Sequence, residues 1–138
     1  MLRITICLFL LIALVSCDSI KGKNATVDDL VGTSWMLTNI GTLSAQRGVE
    51  VTLVFASENS LSGDTGCNSY ESDFSLNGES FSVSGLVASS DSCAENIMDQ
   101  EANFIITLEG AESIKLHGDN LVIHSSDTIF NKLKFTKL

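Results

Sequence analysis

The residues best equipped for chemistry crowd into one short segment, Ser62-Gly63-Asp64-Thr65-Gly66-Cys67-Asn68-Ser69-Tyr70. Gly63-Asp64-Thr65-Gly66 has the form of a tight turn that presents a hydroxyl nucleophile, and Cys67 sets a thiol beside it. A hydroxyl nucleophile needs a base within hydrogen-bond reach. The candidates of the usual kind are His117 and His124, and nothing in the sequence places either beside Thr65. The bland reading is a Gly-rich turn whose Asp64 and Asn68 side chains bond local backbone.

Whether Cys67 is reactive depends on compartment, and the start of the chain bears on that. Met1-Leu2-Arg3 precedes an apolar run from Ile4 to Val15. One positive charge, a short hydrophobic stretch and a small residue at its end are the parts of a secretory signal. The run is shorter than the roughly twenty residues a membrane-crossing helix needs. It closes on Leu14-Val15-Ser16-Cys17, which resembles the bacterial lipobox, where cleavage falls before a cysteine whose thiol receives diacylglycerol. Residues 1–16 are therefore expected to be a lipoprotein signal peptide and Cys17 the lipidated residue. Asp18 follows at once; under enteric-type sorting it favours retention in the inner membrane of a bacterial cell envelope, with the outer membrane as the alternative.

Of the four cysteines, Cys7 leaves with the signal and Cys17 is consumed by lipid. Cys67 and Cys93 remain, an even pair in a compartment that permits disulfides. A bridge between them is the favoured outcome. Two free thiols are the alternative, although neither lies in a CxxC motif.

Eight basic residues less Arg3 leave seven against seventeen acidic ones, a formal net charge of −10 for the mature chain. An acidic chain with no run of basic residues does not suit nucleic acid or direct docking on anionic head groups. Membrane contact is expected through the lipid alone. Residues 17–29 read as a lipid-anchored tether; the polar, aperiodic part from 18 to 27 would reach about 35 Å if extended.

The elements that must position these residues follow from periodicity. Segments 34–40, 49–56, 68–76, 80–87 and 131–137 alternate apolar and polar residues, as half-buried strands do. Asn77-Gly78 is expected to turn the first long hairpin. Gly118-Asp119 turns a second, facing Leu116 to Leu121 and Ile114 to Ile123. That register sets His117 opposite Asn120 and His124 opposite Ser113, both outside and about 13 Å apart, too far to share one ion. A helix is expected after Ser92, with Glu95 three residues on as a capping box. Ile97, Met98, Ala102, Ile105 and Leu108 would form its inner face, and Gly110 would end it. Asp91, Glu95 and Asp99 could form an acidic stripe there, but no loop has calcium-ligand spacing. The sequence calls for no cofactor and no metal. About seven or eight short antiparallel strands and one helix make the class mostly β (α+β), a single barrel-like domain.

The segments Leu30–Ile40, Val51–Phe55, Leu61–Tyr70, Met98–Leu108, Leu116–His124 and Leu133–Phe135, in that order, resemble the META domain, the HslJ-like group of bacterial heat-inducible lipoproteins. The resemblance runs from 30 to 136 and sets the domain at 30–138. Its most specific element is Gly63 followed by Gly66-Cys67-Asn68; Gly32, Trp35, Cys93 and Glu101 also match the pattern. The stretch before Cys93, Ala88-Ser89-Ser90-Asp91-Ser92, departs from the basic version of the pattern. The resemblance implies a compact antiparallel β domain with one packed helix. It implies no reaction, only an association with envelope stress. The expected function is that of a non-enzymatic envelope protein acting through contacts with another envelope protein. The alternative is a carrier or sensor of a lipid or other small apolar ligand, which would need an unfilled cavity of some hundreds of Å³.

Overall fold

The computed structural model describes residues 22–138. The signal peptide, Cys17 and Asp18 lie outside the described residues. Ten strands and two helices occur among them: β1 (Lys23–Asn24), α1 (Val27–Leu30), β2 (Ser34–Ile40), β3 (Leu43–Ser44), β4 (Thr52–Phe55), β5 (Ser60–Asp64), β6 (Ser69–Asn77), β7 (Ser80–Ala88), α2 (Glu95–Glu109), β8 (Ala111–His117), β9 (Asn120–Ser125) and β10 (Lys132–Lys137). Antiparallel pairing runs β8-β7-β6-β5-β4-β2-β10-β9 and returns to β8. Closure into an eight-stranded barrel removes the unpaired edges an open sheet would expose. β1 pairs with β8 and β3 with β2, both off the ring.

Alternation along the strands fills the bore. Trp35, Leu53, Phe55, Leu61, Tyr70, Phe81, Ile114, Leu121, Leu133 and Phe135 are all buried. Phe55 meets Phe74 at 5.3 Å between ring centroids, and Phe74 meets Phe81 at 5.7 Å. Phe104 of α2 stands between Tyr70 and Phe135, at 5.6 and 6.5 Å. Those two rings come from β6 and β10, which are opposite each other in the ring of strands. The helix thus pushes an aromatic side chain into the bore.

Strand direction defines two ends. At one lie α1, the start of β1 beside Leu116, and the turns Gly78-Glu79 and Gly118-Asp119. At the other lie α2, the turn at 65–68 and the loop from 126 to 131.

Several expectations need correction. The tether is not free to residue 29: Lys23 pairs with Leu116 and Asn24 with Lys115. Thr26 and Asp29 then close a capping box on α1, with Thr26 N donating to Asp29 Oδ2 at 3.0 Å. Ala25 and Leu30 are buried in the core, which is why this polar-looking stretch folds. The capping box expected at Ser92 does not form; α2 begins at Glu95 with Ala94 as N-cap and no side-chain cap. Residues 89–93 are drawn across Asn68 as a strap instead. Of the expected inner face of α2, Leu108 is buried and Ile105 packs on the core, but Gln100, Phe104 and Thr107 complete it, while Met98 and Ala102 are exposed. The helix is rotated to the side where Gln100 Oε1 accepts the Gln46 N–H and Glu101 accepts from Thr65 and Asn68. Asn77 pairs with Ser80, so the hairpin turns on Gly78-Glu79, with φ of +60° at Gly78, as a turn with glycine first demands. The β8–β9 register agrees with expectation throughout, His117 to Asn120 and Ser113 to His124 included.

Candidate functional site

β5 ends at Asp64 and β6 begins at Ser69, so the motif is the connection between them. Gly63 is required by close approach: a Cβ there would stand 2.1 Å from the Thr52 carbonyl oxygen of β4. The Tyr70 hydroxyl donates to that same oxygen at 2.9 Å. Burial, with the nearby Asp64 charge second, pushes the Tyr70 phenol far above its ordinary range, so it stays a neutral donor. Gly66 carries a φ of +90°, and a Cβ would meet Val49 Cγ1 at 2.3 Å. Both conformation and space call for glycine there.

Thr65 is fully buried and is the hub of the turn. Its N–H donates to the Asn68 carbonyl at 2.7 Å, and its hydroxyl oxygen accepts the Asn68 N–H at 2.8 Å. The hydroxyl proton goes to Glu101 Oε2 on α2. Asn68 Nδ2 donates to both Glu101 oxygens, at 2.9 and 3.0 Å. Asn68 Oδ1 accepts from Ser89 Oγ at 2.9 Å and from the Asp91 N–H at 2.7 Å. One side chain therefore binds its own turn to the helix and to the strap leading into it.

Cys67 is bonded to Cys93, with an S–S distance of 2.08 Å and Cα atoms 5.9 Å apart. Gln46 makes a further link, its N–H donating to Gln100 Oε1 at 2.7 Å. The structure thus brings together Gly63, Gly66, Cys67, Asn68, Cys93 and Glu101. Gly32 and Trp35 sit at the other end. Gly32 ends α1 with φ +77°, and its N–H donates to the Phe55 carbonyl at 2.8 Å. Trp35 is buried, and its indole N–H donates to Thr33 Oγ1 at 2.8 Å.

Thr65, a nucleophile candidate by sequence, is the hub of the turn instead; Asp91, expected on an acidic stripe with Glu95 and Asp99, lies before α2 in the strap, where it and Ser89 hold Asn68. The available signal was weak, because α2 carries polar residues at Glu95, Asn96, Asp99 and Asn103 as well as at Gln100-Glu101. Neither a free thiol nor an exposed Thr65 hydroxyl is present in this turn. His117 and His124 lie on the outer face of the β8–β9 hairpin. Glu95 and Asp99 are exposed on α2. No group of three or more potential metal ligands is found among the described residues, and none of their helices is long and apolar enough to cross a membrane.

The family model described as META domain matches residues 28–135 of the chain. Two solved NMR structures share the fold. One has a TM-score of 0.66 at 16% identity and covers 81% of this chain and 94% of its own. The other, of a protein from Burkholderia xenovorans, has a TM-score of 0.63 at 19% identity, covering 81% of this chain and 86% of its own. At these identities the likeness concerns the fold alone. No curated protein matches the chain.

Proposed function

The chain belongs to the META domain family, and from that premise we propose that it is a non-enzymatic, lipid-anchored protein of the bacterial cell envelope, acting through contacts with another envelope protein during envelope stress. The observation that carries this reading is the filled bore. Six aromatic side chains, Trp35, Tyr70, Phe55, Phe81, Phe104 and Phe135, are each less than 2% exposed. A carrier needs an open apolar cavity where these rings stand, so the surface is left as the part that works. The turn at 63–68 supports the non-enzymatic part, since its hydroxyl and thiols are all committed to holding α2.

Anchoring at Cys17 favours contacts at the far end. Lys23, already paired to β8, is six residue steps from Cys17, so the domain starts at most about 20 Å from the lipid. The tether cannot lift it clear of the bilayer as the full stretch to residue 29 would. Leu43, Met98, Ile106 and Ile129, each 42% exposed or more, belong to elements at the end that carries α2. That end lies opposite the one where β1 begins and is the part another envelope protein would meet. Asp18 favours inner-membrane retention.

Photo-crosslinking residues placed at Met98, Ile106 and Ile129 in living cells should each give the same discrete adduct. A residue at Glu58, at the anchor end, should not. Native mass spectrometry of the protein purified without detergent tests the carrier reading directly: a stoichiometric apolar ligand would overturn the proposal. Fatty-acid labelling that persists in Cys17→Ala would refute the lipidation site. Identical membrane fractionation of wild type and Asp18→Ser would refute the retention reading.

A further inference from the structure

The chain is strongly acidic, yet the barrel collects cations on one wall. Strand alternation sends Lys115 and His117 of β8, His124 of β9, and Lys132 and Lys134 of β10 outward, between the buried Ile114, Leu116, Leu121, Ile123, Leu133 and Phe135. Register aligns them in rows. Lys132 pairs with His124, and His124 with Ser113; Lys134 pairs with Val122, and Val122 with Lys115; Thr136 pairs with Asn120, and Asn120 with His117. With strands about 4.8 Å apart, the three lysines span a width of roughly 10 Å. The acids on its margin are Glu112, exposed at the β8 bulge before Ser113, Asp119 in the hairpin turn, and Glu79, 3.4 Å from Lys115, whose ammonium also donates to Asn24 Oδ1. His124 registers the crowding: burial first, then the charges of Lys132, Lys115 and His117, hold it below its ordinary value.

A register shift between Lys134 and Phe135 against β2 leaves an extra residue in β2 at Thr38, and bulges of this kind bend a strand and open its pairing. A groove of about 370 Å³ lies there, lined by Thr38, Asn39, His117, Asn120 and Lys134 among others. The wall also adjoins Gly22, the first described residue. Gly22 lies so close over the His117 ring that a Cβ would stand 2.3 Å from Nε2. The described chain therefore begins over this same wall.

We propose that the β8–β9–β10 wall rests on the anionic phospholipid surface of the membrane that holds the lipid, with Lys115, Lys132 and Lys134 against the phosphates. This rests on lipidation at Cys17. The net charge does not oppose it, because acids on the far side of the barrel lie beyond a Debye length of about 8 Å and are screened. It revises the expectation that membrane contact comes through the lipid alone. Each lysine brought to an anionic surface strengthens attachment about fivefold; because Lys115 shares its charge with Glu79, Lys132 and Lys134 carry most of the effect, about twenty-five-fold together.

The test uses the mature lipoprotein in vesicles of phosphatidylcholine with and without phosphatidylglycerol, reading acetylation of each lysine by mass spectrometry against detergent-dispersed protein. Lys115, Lys132 and Lys134 should be protected severalfold on phosphatidylglycerol vesicles, little on pure phosphatidylcholine, and not at all in high salt. The Lys132→Gln/Lys134→Gln variant should lose the protection at Lys115. Equal acetylation in all vesicles would overturn the proposal. The same spectra show whether Cys17 is acylated. If it is not, lipidation fails separately, and the wall is read by sedimentation of the unacylated mature Cys17→Ser chain with the two vesicle types. Equal sedimentation of that chain with both would overturn the proposal in turn.

Discussion

Replacing Glu101 by alanine should loosen the helix from the barrel without touching the disulfide. The carboxylate accepts the Thr65 hydroxyl and the Asn68 amide, and Thr65 and Asn68 are 0% and 5% exposed. Hydrogen bonds to a charged group are worth about 1.5 to 3 kcal/mol each, but part of that is recovered. Without Glu101 the Thr65 hydroxyl can turn to the Asn68 carbonyl, already 2.9 Å away. Asn68 Nδ2 keeps one weak acceptor, the Asp91 carbonyl at 3.3 Å. One amide proton is left without a partner, costing about 1 to 3 kcal/mol. A loss of about 2 kcal/mol follows, near 8 °C in Tm for a domain of this size. Glu101→Gln retains one acceptor oxygen and should cost about half as much. The assay is reversible denaturant unfolding of the oxidised mature protein, with the Cys67–Cys93 bond verified. A loss below about 0.5 kcal/mol for Glu101→Ala, or equal losses for the two variants, would refute the hub as described. Because the disulfide ties the same turn to the same helix, Glu101→Ala combined with Cys67→Ser/Cys93→Ser should be non-additive.

Breaking the bridge alone, in Cys67→Ser/Cys93→Ser, should cost about 3.5 kcal/mol for a separation of 26 residues; two alkylatable thiols in freshly isolated wild type would contradict it. Gly63→Ala should cost about 3 kcal/mol or prevent folding, because the obstacle is the backbone of β4. Gly32→Ala should cost only about 1 kcal/mol and Gly32→Asn less, because nothing lies within 4 Å and conformation alone is strained; equal losses at the two glycines would show that the distinction is wrong. His124 is held below its ordinary 6.5, so the unfolded chain takes up the proton first. Its contribution to stability should be intact above pH 6.5 and lost as pH falls through the folded value, and His124→Gln should flatten that slope in unfolding measured across the range.

Much of the molecule was legible because its signals are local. Alternation fixed most of the strands and the inward residues, and Gly118-Asp119 fixed a register that holds from Ser113 and His124 down to the turn, beyond which a bulge shifts it. Counting cysteines paired Cys67 with Cys93 before any geometry was known. Asn77-Gly78 misled by one position, since a glycine-first turn and an asparagine-glycine turn both place Gly78 in the loop. The helix face was misread for a different reason. Ile97, Met98, Ile105 and Ile106 offer two apolar stripes, and the choice between them was made by the polar partners of Gln100 and Glu101, which come from residues 46, 65 and 68. The stretch 23–30 looked like tether because its few apolar residues find their core only once β8 and β2 are in place. The cationic wall shows the same division most plainly. Lys115, Lys132 and Lys134 form no run in an acidic sequence, and composition alone gave no sign of a basic surface. Barrel closure and antiparallel register bring them together, because pairing sets strands about 4.8 Å apart however far apart they lie along the chain.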